Sequence, residues 1–290
     1  MTRNRFIAIM KHMRFDEKSR RRDRLRMDKF CHVSEIWNAF IENCQRCYIP
    51  DPNLTIDEQL FPCKSRCPFT QFMASKPDKY GIKFWMLTDS KNSYLFNSIP
   101  YLGKEDRPSG TDVPASVCMK LLEPVFDNGY NVTCDSYFTS LNLAEKLKSR
   151  RTTLLGTIRK QRREVPDCES VMKNQPVFST EVFVSDSTTL TAYKAKKSRI
   201  VYVLSSMHNT VKVDQQHRKR LPETVKFYNE TKAGVDVLDQ MARYHTSKTG
   251  TRRWPMAVFS IFLTSLLSMH WSFSNLQLVR TFQEENFFLT

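Results

Sequence analysis

The chain has 290 residues and carries 45 Lys and Arg against 30 Asp and Glu, a formal net charge of +15. Hydrophobic residues make up 40% of it and aromatics 12%, including 20 Phe and 4 Trp, which excludes a largely disordered chain. Gly is scarce, at 7 residues, and neither GxGxxG nor GxxxxGK[ST] occurs, so a Gly-rich phosphate cradle is excluded. A balance this basic points to a polyanionic partner, nucleic acid ahead of a membrane surface.

Residues 1–49 read as helical. RNRFIAIMKHMRF sets Phe6, Ile9, Met10 and Met13 at helical spacing, and its charges exclude a signal peptide. Positive charge is concentrated here, with eleven Lys and Arg against four Asp and Glu in residues 1–30. The densest run, KSRRRDRLR, contains Arg20, Arg21, Arg22 and Arg24. Two readings stand side by side for it: a solvated helix face with internal ion pairs, or a DNA-contacting or nuclear-import segment. A second helix lies in DKFCHVSEIWNAFIENCQ, with Phe30, Val33, Ile36, Trp37, Phe40 and Ile41 on one stripe, before a turn at IPDPN.

From Leu54 the period changes. LTIDEQLF, KYGIKFWMLTDS and SYLFNSIPYL are short, rich in β-formers and bounded by turn residues, so they predict an antiparallel meander. A helix follows over 113–124, then a strand in GYNVTCDSYFTS running into Asp135. Next comes an amphipathic helix with Ser140 as its N-cap, and then a strand in TTLLGTIR. The order is that of a mixed α/β fold. Residues 160–222 differ, being rich in Lys and in two or three hairpin-like strands, and read as an insertion. KFYNETKAGVDVLDQMARYH then predicts one helix.

Residues 254–273, WPMAVFSIFLTSLLSMHWSF, are long enough to cross a bilayer, but four Ser, a Thr, a His and an early Pro favour a buried core helix. The eight Cys make no disulfide scaffold. Cys44-x2-Cys47 and Cys63-x3-Cys67 have a zinc-ribbon count, yet the residues between them read as a turn and a buried strand, which favours reduced structural thiols.

Four acids stand out. Asp57 lies on the first strand, Asp135 at the end of a later one, and Asp236 and Asp239 three apart on a helix. A carboxylate on an apolar strand is costly unless something pairs with it. Convergence on divalent cations would account for all four, because Mg2+ takes oxygen ligands and paired ions serve phosphoryl transfer. Spacing alone leaves ordinary salt-bridged acids as the alternative.

At these residues the chain resembles the piggyBac superfamily of DNA transposases and the proteins derived from such elements. The resembling blocks include LTIDEQLF, RCPFTQFMASKPDKYGIKFWMLTDS, PYLGKE, NVTCDSYFTSLNLAEKL, GTIRKQRREVP, YKAKKSRIVYVLSS, YNETKAGVDVLDQM and RRWPMAVF, in the family's order. The resemblance implies a ribonuclease-H-like mixed sheet with a β-rich insertion, flanked by a helical dimerisation and DNA-binding domain. It divides the chain into helical parts at 1–51 and 246–290, a catalytic core at 52–160 and 223–245, and the insertion at 161–222.

It further implies Asp57, Asp135 and Asp236 as catalytic metal ligands, with Asp239 a further acid beside the third. Glu58 would point to the opposite strand face. Mg2+, or Mn2+ in its place, would serve the chemistry. Arg159, Lys160, Arg162 and Arg163 would lie near bound DNA. The implied reaction is cleavage and joining of DNA strands without a covalent protein intermediate, through hairpin ends and at TTAA targets. The expected partners are double-stranded DNA and a second copy of the chain, in the nucleus, with no membrane and no small-molecule substrate. The family pattern extends further at the N-terminus and ends in a cysteine-rich zinc-binding domain. This chain stops before any such domain, so it is expected to be a fragment.

Overall fold

In the computed structural model, residues 1–103, 112–216, 218–244 and 250–269 are described. Nine strands form one sheet, in the order β2-β3-β1-β5-β6-β9-β8-β7, with β4 also on β3. The strand ranges are β1 Asn53–Pro62, β2 Thr70–Phe72, β3 Tyr80–Asp89, β4 Leu95–Pro100, β5 Asn131–Cys134, β6 Thr153–Thr157, β7 Thr180–Val184, β8 Thr189–Lys196 and β9 Arg199–Ser205. This is the ribonuclease-H-like mixed sheet that the resemblance implies.

The expected meander is present. β1 pairs β3 antiparallel from Leu54↔Asp89 to Pro62↔Gly81, and β3 pairs β4 antiparallel. Their Leu, Ile, Phe and Trp residues bury both faces, with Leu54, Ile56, Ile82, Phe84 and Leu87 at 0–1% exposure. The short strand β2 takes the other end of β3's outer edge. On its inner side β1 pairs parallel with β5, and β5 parallel with β6. Residues 180–205 then extend this same sheet, because β9 pairs antiparallel with β6 and carries β8 and β7.

The helices are α1 Arg3–His12, α2 Arg21–Met27, α3 Ser34–Arg46, α4 Val113–Leu122, α5 Leu141–Lys148, α6 Cys168–Lys173, α7 Glu223–Thr231, α8 Gly234–Tyr244 and α9 at 254–269. α5 starts as its sequence predicts, with Ser140 Oγ accepting the Leu143 N–H at 3.1 Å. α3 buries Trp37, Phe40, Ile41 and Cys44. The N-terminal helical part packs on α9: Phe40 lies 4.7 Å from Phe262, Phe15 4.9 Å from Phe259 and Phe30 5.9 Å from Trp254, between ring centroids. Arg253 donates to the Lys11 and Met13 carbonyls.

α9 is a core helix in its described part, with Trp254, Met256, Ala257, Val258 and Ile261 buried. Ser260, Thr264 and Ser268 each return their hydroxyl to the carbonyl four residues back. No helix among the described residues is long and apolar enough to cross a membrane. Residues 270–273 of the apolar segment, the rest of 246–290 outside 250–269, Lys104 and Glu105 of PYLGKE, and His245 lie outside the described residues.

One expected helix is two. The run 226–245 starts earlier, at Glu223, and breaks between Thr231 and Gly234. The break comes from the sheet. The Thr231 carbonyl accepts from Thr55 Oγ1 at 2.6 Å, and its hydroxyl meets Thr133 Oγ1 at 2.7 Å. A Cβ on Gly234 would stand 2.5 Å from Thr88 Oγ1 and 2.9 Å from Thr55 Oγ1, so only Gly lets α8 start this close to β1.

Candidate metal and DNA site

The parallel register of β1 and β5 creates the site. Their last paired residues are Ile56 and Cys134. Asp57 and Asp135 follow directly, so both carboxylates stand where the parallel pairing stops, Asp135 at the carboxyl end of β5 and Asp57 midway along β1, which runs on to Pro62 against β3. In open α/β sheets the carboxyl end is where ligands bind. Asp57 Oδ1 accepts the Glu58 backbone N–H at 2.7 Å. Asp135 Oδ1 accepts the Tyr137 N–H at 3.0 Å and opens the turn that leads to α5.

Glu58 joins them. Strict alternation would send it to the other face, but Asp57 and Glu58 are both half-buried, and alternation fails where β5 has ended. The carboxylates of Asp57, Glu58 and Asp135 offer oxygens that all lie within 4.8 Å of one another. The expectation that Glu58 faces away is therefore corrected. Its long side chain can bend round the edge of β1 that β5 has left open.

Burial and a neighbouring like charge both raise a carboxylate's proton affinity. Burial, then the Glu58 charge, pushes Asp57 up to about 7, and the Glu58 N–H only partly opposes this. Asp135 is raised too, mainly by burial, with the Tyr137 N–H working against it and Glu58 adding to it. Two lysines answer part of the negative charge. Lys76 Nζ donates to the Glu58 carbonyl at 3.1 Å. Lys83, diagonal to Glu58 across the β1–β3 pair, places Nζ 4.0 Å from Glu58 Oε2. The same ammonium lies 5.5–6.0 Å from the ring centres of Trp85, Tyr101 and Tyr137.

α8 is fastened to β1 on both sides of Asp57. Gly234 abuts Thr55. Asp239 Oδ1 accepts from Gln59 Nε2 at 2.8 Å. Asp236 lies on the turn between these contacts and is exposed; it is outside the three-carboxylate cluster, as is Asp239. Tyr228 of α7 is also close enough to feel Asp135 and Asp57, although burial is the main reason its phenol is raised.

The basic residues divide. Arg159 Nε approaches Ser136 Oγ at 3.5 Å, and its charge acts on Asp135. Arg162 Nη2 approaches the Tyr137 carbonyl at 3.5 Å. Both therefore flank the turn that follows Asp135. Arg163 is exposed, and Lys160 lines a cavity of about 610 Å3 with Lys173, Lys194, Lys197 and Arg199. In the N-terminal run, Arg21 grips Asp16 through two bonds of 2.6 and 2.8 Å. Arg24 pairs with Glu35 at 2.7 Å, and Arg20 with Glu17 at 3.1 Å. Arg22 is exposed, with no ion pair among the described residues.

Cys44, Cys47, Cys63 and Cys67 are free and form no group of metal-ligating atoms among the described residues. Burial pushes the Cys44 thiol up to about 12 and the Cys67 thiol to about 11, which keeps both protonated.

Sequence reasoning missed Glu58, Lys76 and Lys83. Lys83 had a signal, being the one cation within the apolar run YGIKFWML and of opposite sign to an acid on the preceding strand.

A mixed sheet that gathers three carboxylates where its first parallel strand pair stops has the form of a ribonuclease-H-like fold. The family described as Transposase IS4 matches residues 1–268, and the chain belongs to it, as a piggyBac-type member. The piggyBac transposase synaptic complex with hairpin DNA, solved by cryo-EM, is similar to it at a TM-score of 0.87 and 36% identity, over 95% of this chain and 58% of that one. Human PiggyBac transposable element-derived protein 3 is 25% identical over 89% of this chain and 45% of its own length. Human PiggyBac transposable element-derived protein 2 is 24% identical over 69% of this chain and 37% of its own length. The chain thus spans about half the length of the relatives it matches, or less.

Proposed function

We propose that this chain cuts and joins DNA strands as the catalytic part of a piggyBac-type transposase. The observation that carries this reading is the cluster of Asp57, Glu58 and Asp135 where the parallel pairing of β1 and β5 stops. Three carboxylates are a hard oxygen donor set, suited to Mg2+ with Mn2+ as a substitute. Asp236, exposed on the first turn of α8, is the further acid that the family resemblance offers to that region. A bound divalent ion pair supplies activation of the attacking oxygen and charge stabilisation on the leaving one.

The chain's own residues do the rest. Asp57, which holds a proton up to about pH 7 in the metal-free protein, gives it up on loading. Arg159 and Arg162 hold backbone phosphates beside Asp135, where their contacts set the register of the duplex but read no sequence. Lys83 and Lys76 keep Glu58 and its strand in place while the site is empty of substrate. By the family resemblance the order is attack by water, then attack of the freed 3′-hydroxyl on the opposite strand to form a hairpin, then joining at TTAA. The same resemblance supports action as a homodimer in the nucleus, with residues 1–51 and 246–290 in dimerisation and DNA binding, 52–160 and 223–245 as catalytic core and 161–222 as its insertion.

One observation favours a second reading. Asp236 is exposed and outside the cluster, which fits a descendant that binds DNA without cutting it. A single assay separates the two. A labelled duplex carrying a TTAA-flanked end is incubated with the chain and Mg2+ or Mn2+, beside Asp135→Asn. Cleavage that disappears in the variant supports the transposase. Binding without cleavage in a folded chain supports the second reading.

A further inference from the structure

We infer that Asp239 is a positioning residue, a strut that sets α8 against the acid-bearing strand, and not a ligand of the metal. The inference rests on the metal-dependent reading of the site above. Both oxygens of Asp239 are engaged elsewhere. Oδ1 accepts from the Gln59 side-chain amide at 2.8 Å, and Oδ2 accepts from Arg243 Nε at 3.1 Å. Gln59 is 1% exposed and lies on β1 two residues beyond Asp57, so the first bond ties α8 to the strand that carries the site.

The Arg243 guanidinium continues the chain of contacts. Its Nη1 donates to Asp78 Oδ2 at 3.0 Å, in the loop between β2 and β3. Two residues earlier in that loop, Lys76 Nζ holds the Glu58 carbonyl. With Lys76 on the Glu58 carbonyl, the path Gln59–Asp239–Arg243–Asp78 closes a ring through α8, the β2–β3 loop and β1 that includes Glu58 and begins directly after Asp57. Of these groups Gln59 is the fully buried one, so losing Asp239 would leave its side-chain amide unpaired, which is the costly part of breaking the path.

Asp239 also lies outside the group of carboxylates that approach one another to 4.8 Å. An acid that shares its lone pairs with an amide and a guanidinium, on a helix pinned at Gly234 and again at Gln59, is placed to fix the rotation of α8. That rotation also sets the position of Asp236, one turn earlier and exposed. The ligand role that the family motif suggests for Asp239 is replaced by one that acts through Gln59 and Arg243.

The test uses the full chain and Mn2+ as the probe. Mn2+ affinity is read by water-proton relaxation for the parent, Asp57→Asn, Asp239→Asn and Arg243→Gln. Thermal midpoints are read in parallel for Asp239→Asn, Arg243→Gln and the double variant. The expected result is that Asp57→Asn lowers Mn2+ affinity by clearly more than Asp239→Asn or Arg243→Gln, whose supporting contacts are worth about tenfold at most, the low end of the usual scale of such partners. The double variant is expected to melt close to the worse single variant, because the two residues share one bond. Equal loss of Mn2+ affinity in Asp239→Asn and Asp57→Asn would make Asp239 a ligand and overturn the inference. Additive melting shifts would remove the strut. A parent that binds no Mn2+ would defeat the metal-dependent reading itself, and the melting cycle would still decide whether the strut exists. If Asp239→Asn fails to fold, Arg243→Gln and Asp78→Asn carry the same comparison from the other end of the ring.

Discussion

The end of the β1–β5 pairing and the N-terminal helix α2 both concentrate charge, and they treat it in opposite ways. At α2 and the residues before it, half of the densest cationic run of the chain is paired off. Arg21 is bound by Asp16, Arg24 by Glu35 and Arg20 by Glu17. Asp16 is correspondingly held below the ordinary aspartate range by its bond to Arg21. Where the β1–β5 pairing stops, three acids of one sign are crowded together, and Asp57 is raised to about 7. Paired charge reports on stability, whereas crowded like charge is a cost the fold keeps for a partner. Local density of charge in the sequence pointed at both regions; only their neighbours distinguish them.

The sharpest way to break that contrast is to remove one acid. Glu58→Gln and Asp135→Asn should each lower Mn2+ affinity about 10- to 100-fold and reduce Mg2+-dependent strand cleavage at least as much. Titration against a labelled duplex checks both. Retention of full affinity by Glu58→Gln would return Glu58 to the strand face that alternation assigns it.

The second effect is on stability. Between the ordinary aspartate value of 3.8 and about 7, folded Asp57 holds a proton that the unfolded chain has released. The folded state binds more protons there, so stability falls as pH rises through that window and levels off above it. Asp57→Asn should therefore stabilise the metal-free chain by about 2 kcal/mol at pH 8 and by little at pH 4. Thermal melts at the two pH values decide it. Saturating Mg2+ should reverse the sign at pH 8, since the parent then gains the ligand's binding energy.

Much of the architecture was legible in advance. The strands β1, β3 and β4 announced themselves by Ile, Phe, Trp and Leu runs between turn residues, and Ser140 marked its helix by a local capping bond. Such signals are confined to neighbours in sequence. The break between α7 and α8 was not legible, because it depends on Thr55, Thr88 and Thr133 meeting residues 231–234 from far along the chain. β2 and α6 were too short, at 3 and 6 residues, to carry a period. In the site, Asp57 and Asp135 were legible as acids on strands. Glu58 was not, because alternation is the rule for a strand with neighbours on both sides, and β1 loses one at that residue.

Gly234 offers a smaller and purely steric test of how α8 meets the site. Gly234→Ala adds a methyl group 2.5 Å from Thr88 Oγ1 and should cost about 1–2 kcal/mol. Pairing it with Thr88→Ser keeps the hydroxyl and so should not restore the loss, whereas Thr88→Ala should recover part of it. Denaturant melts of the single and double variants measure this.

The smallest effect returns to the two regions of charge. Arg159 and Arg162 sit by the turn after Asp135 and are committed to no acid among the described residues at ion-pair distance, while Arg21 is committed to Asp16. Arg159→Gln with Arg162→Gln should therefore weaken binding to duplexes of any sequence and lower the slope of log affinity against log salt by about 2. Arg21→Gln should leave that slope almost unchanged and lower stability by about 0.5–1 kcal/mol, because its charge is already neutralised within the fold. Arg22, exposed beside it, is the internal control, since its removal should act on the slope and not on the melt. A reversed outcome, with Arg21→Gln flattening the salt dependence and the Arg159 and Arg162 pair leaving it intact, would move the DNA path from the end of the β1–β5 pairing to the N-terminal helix.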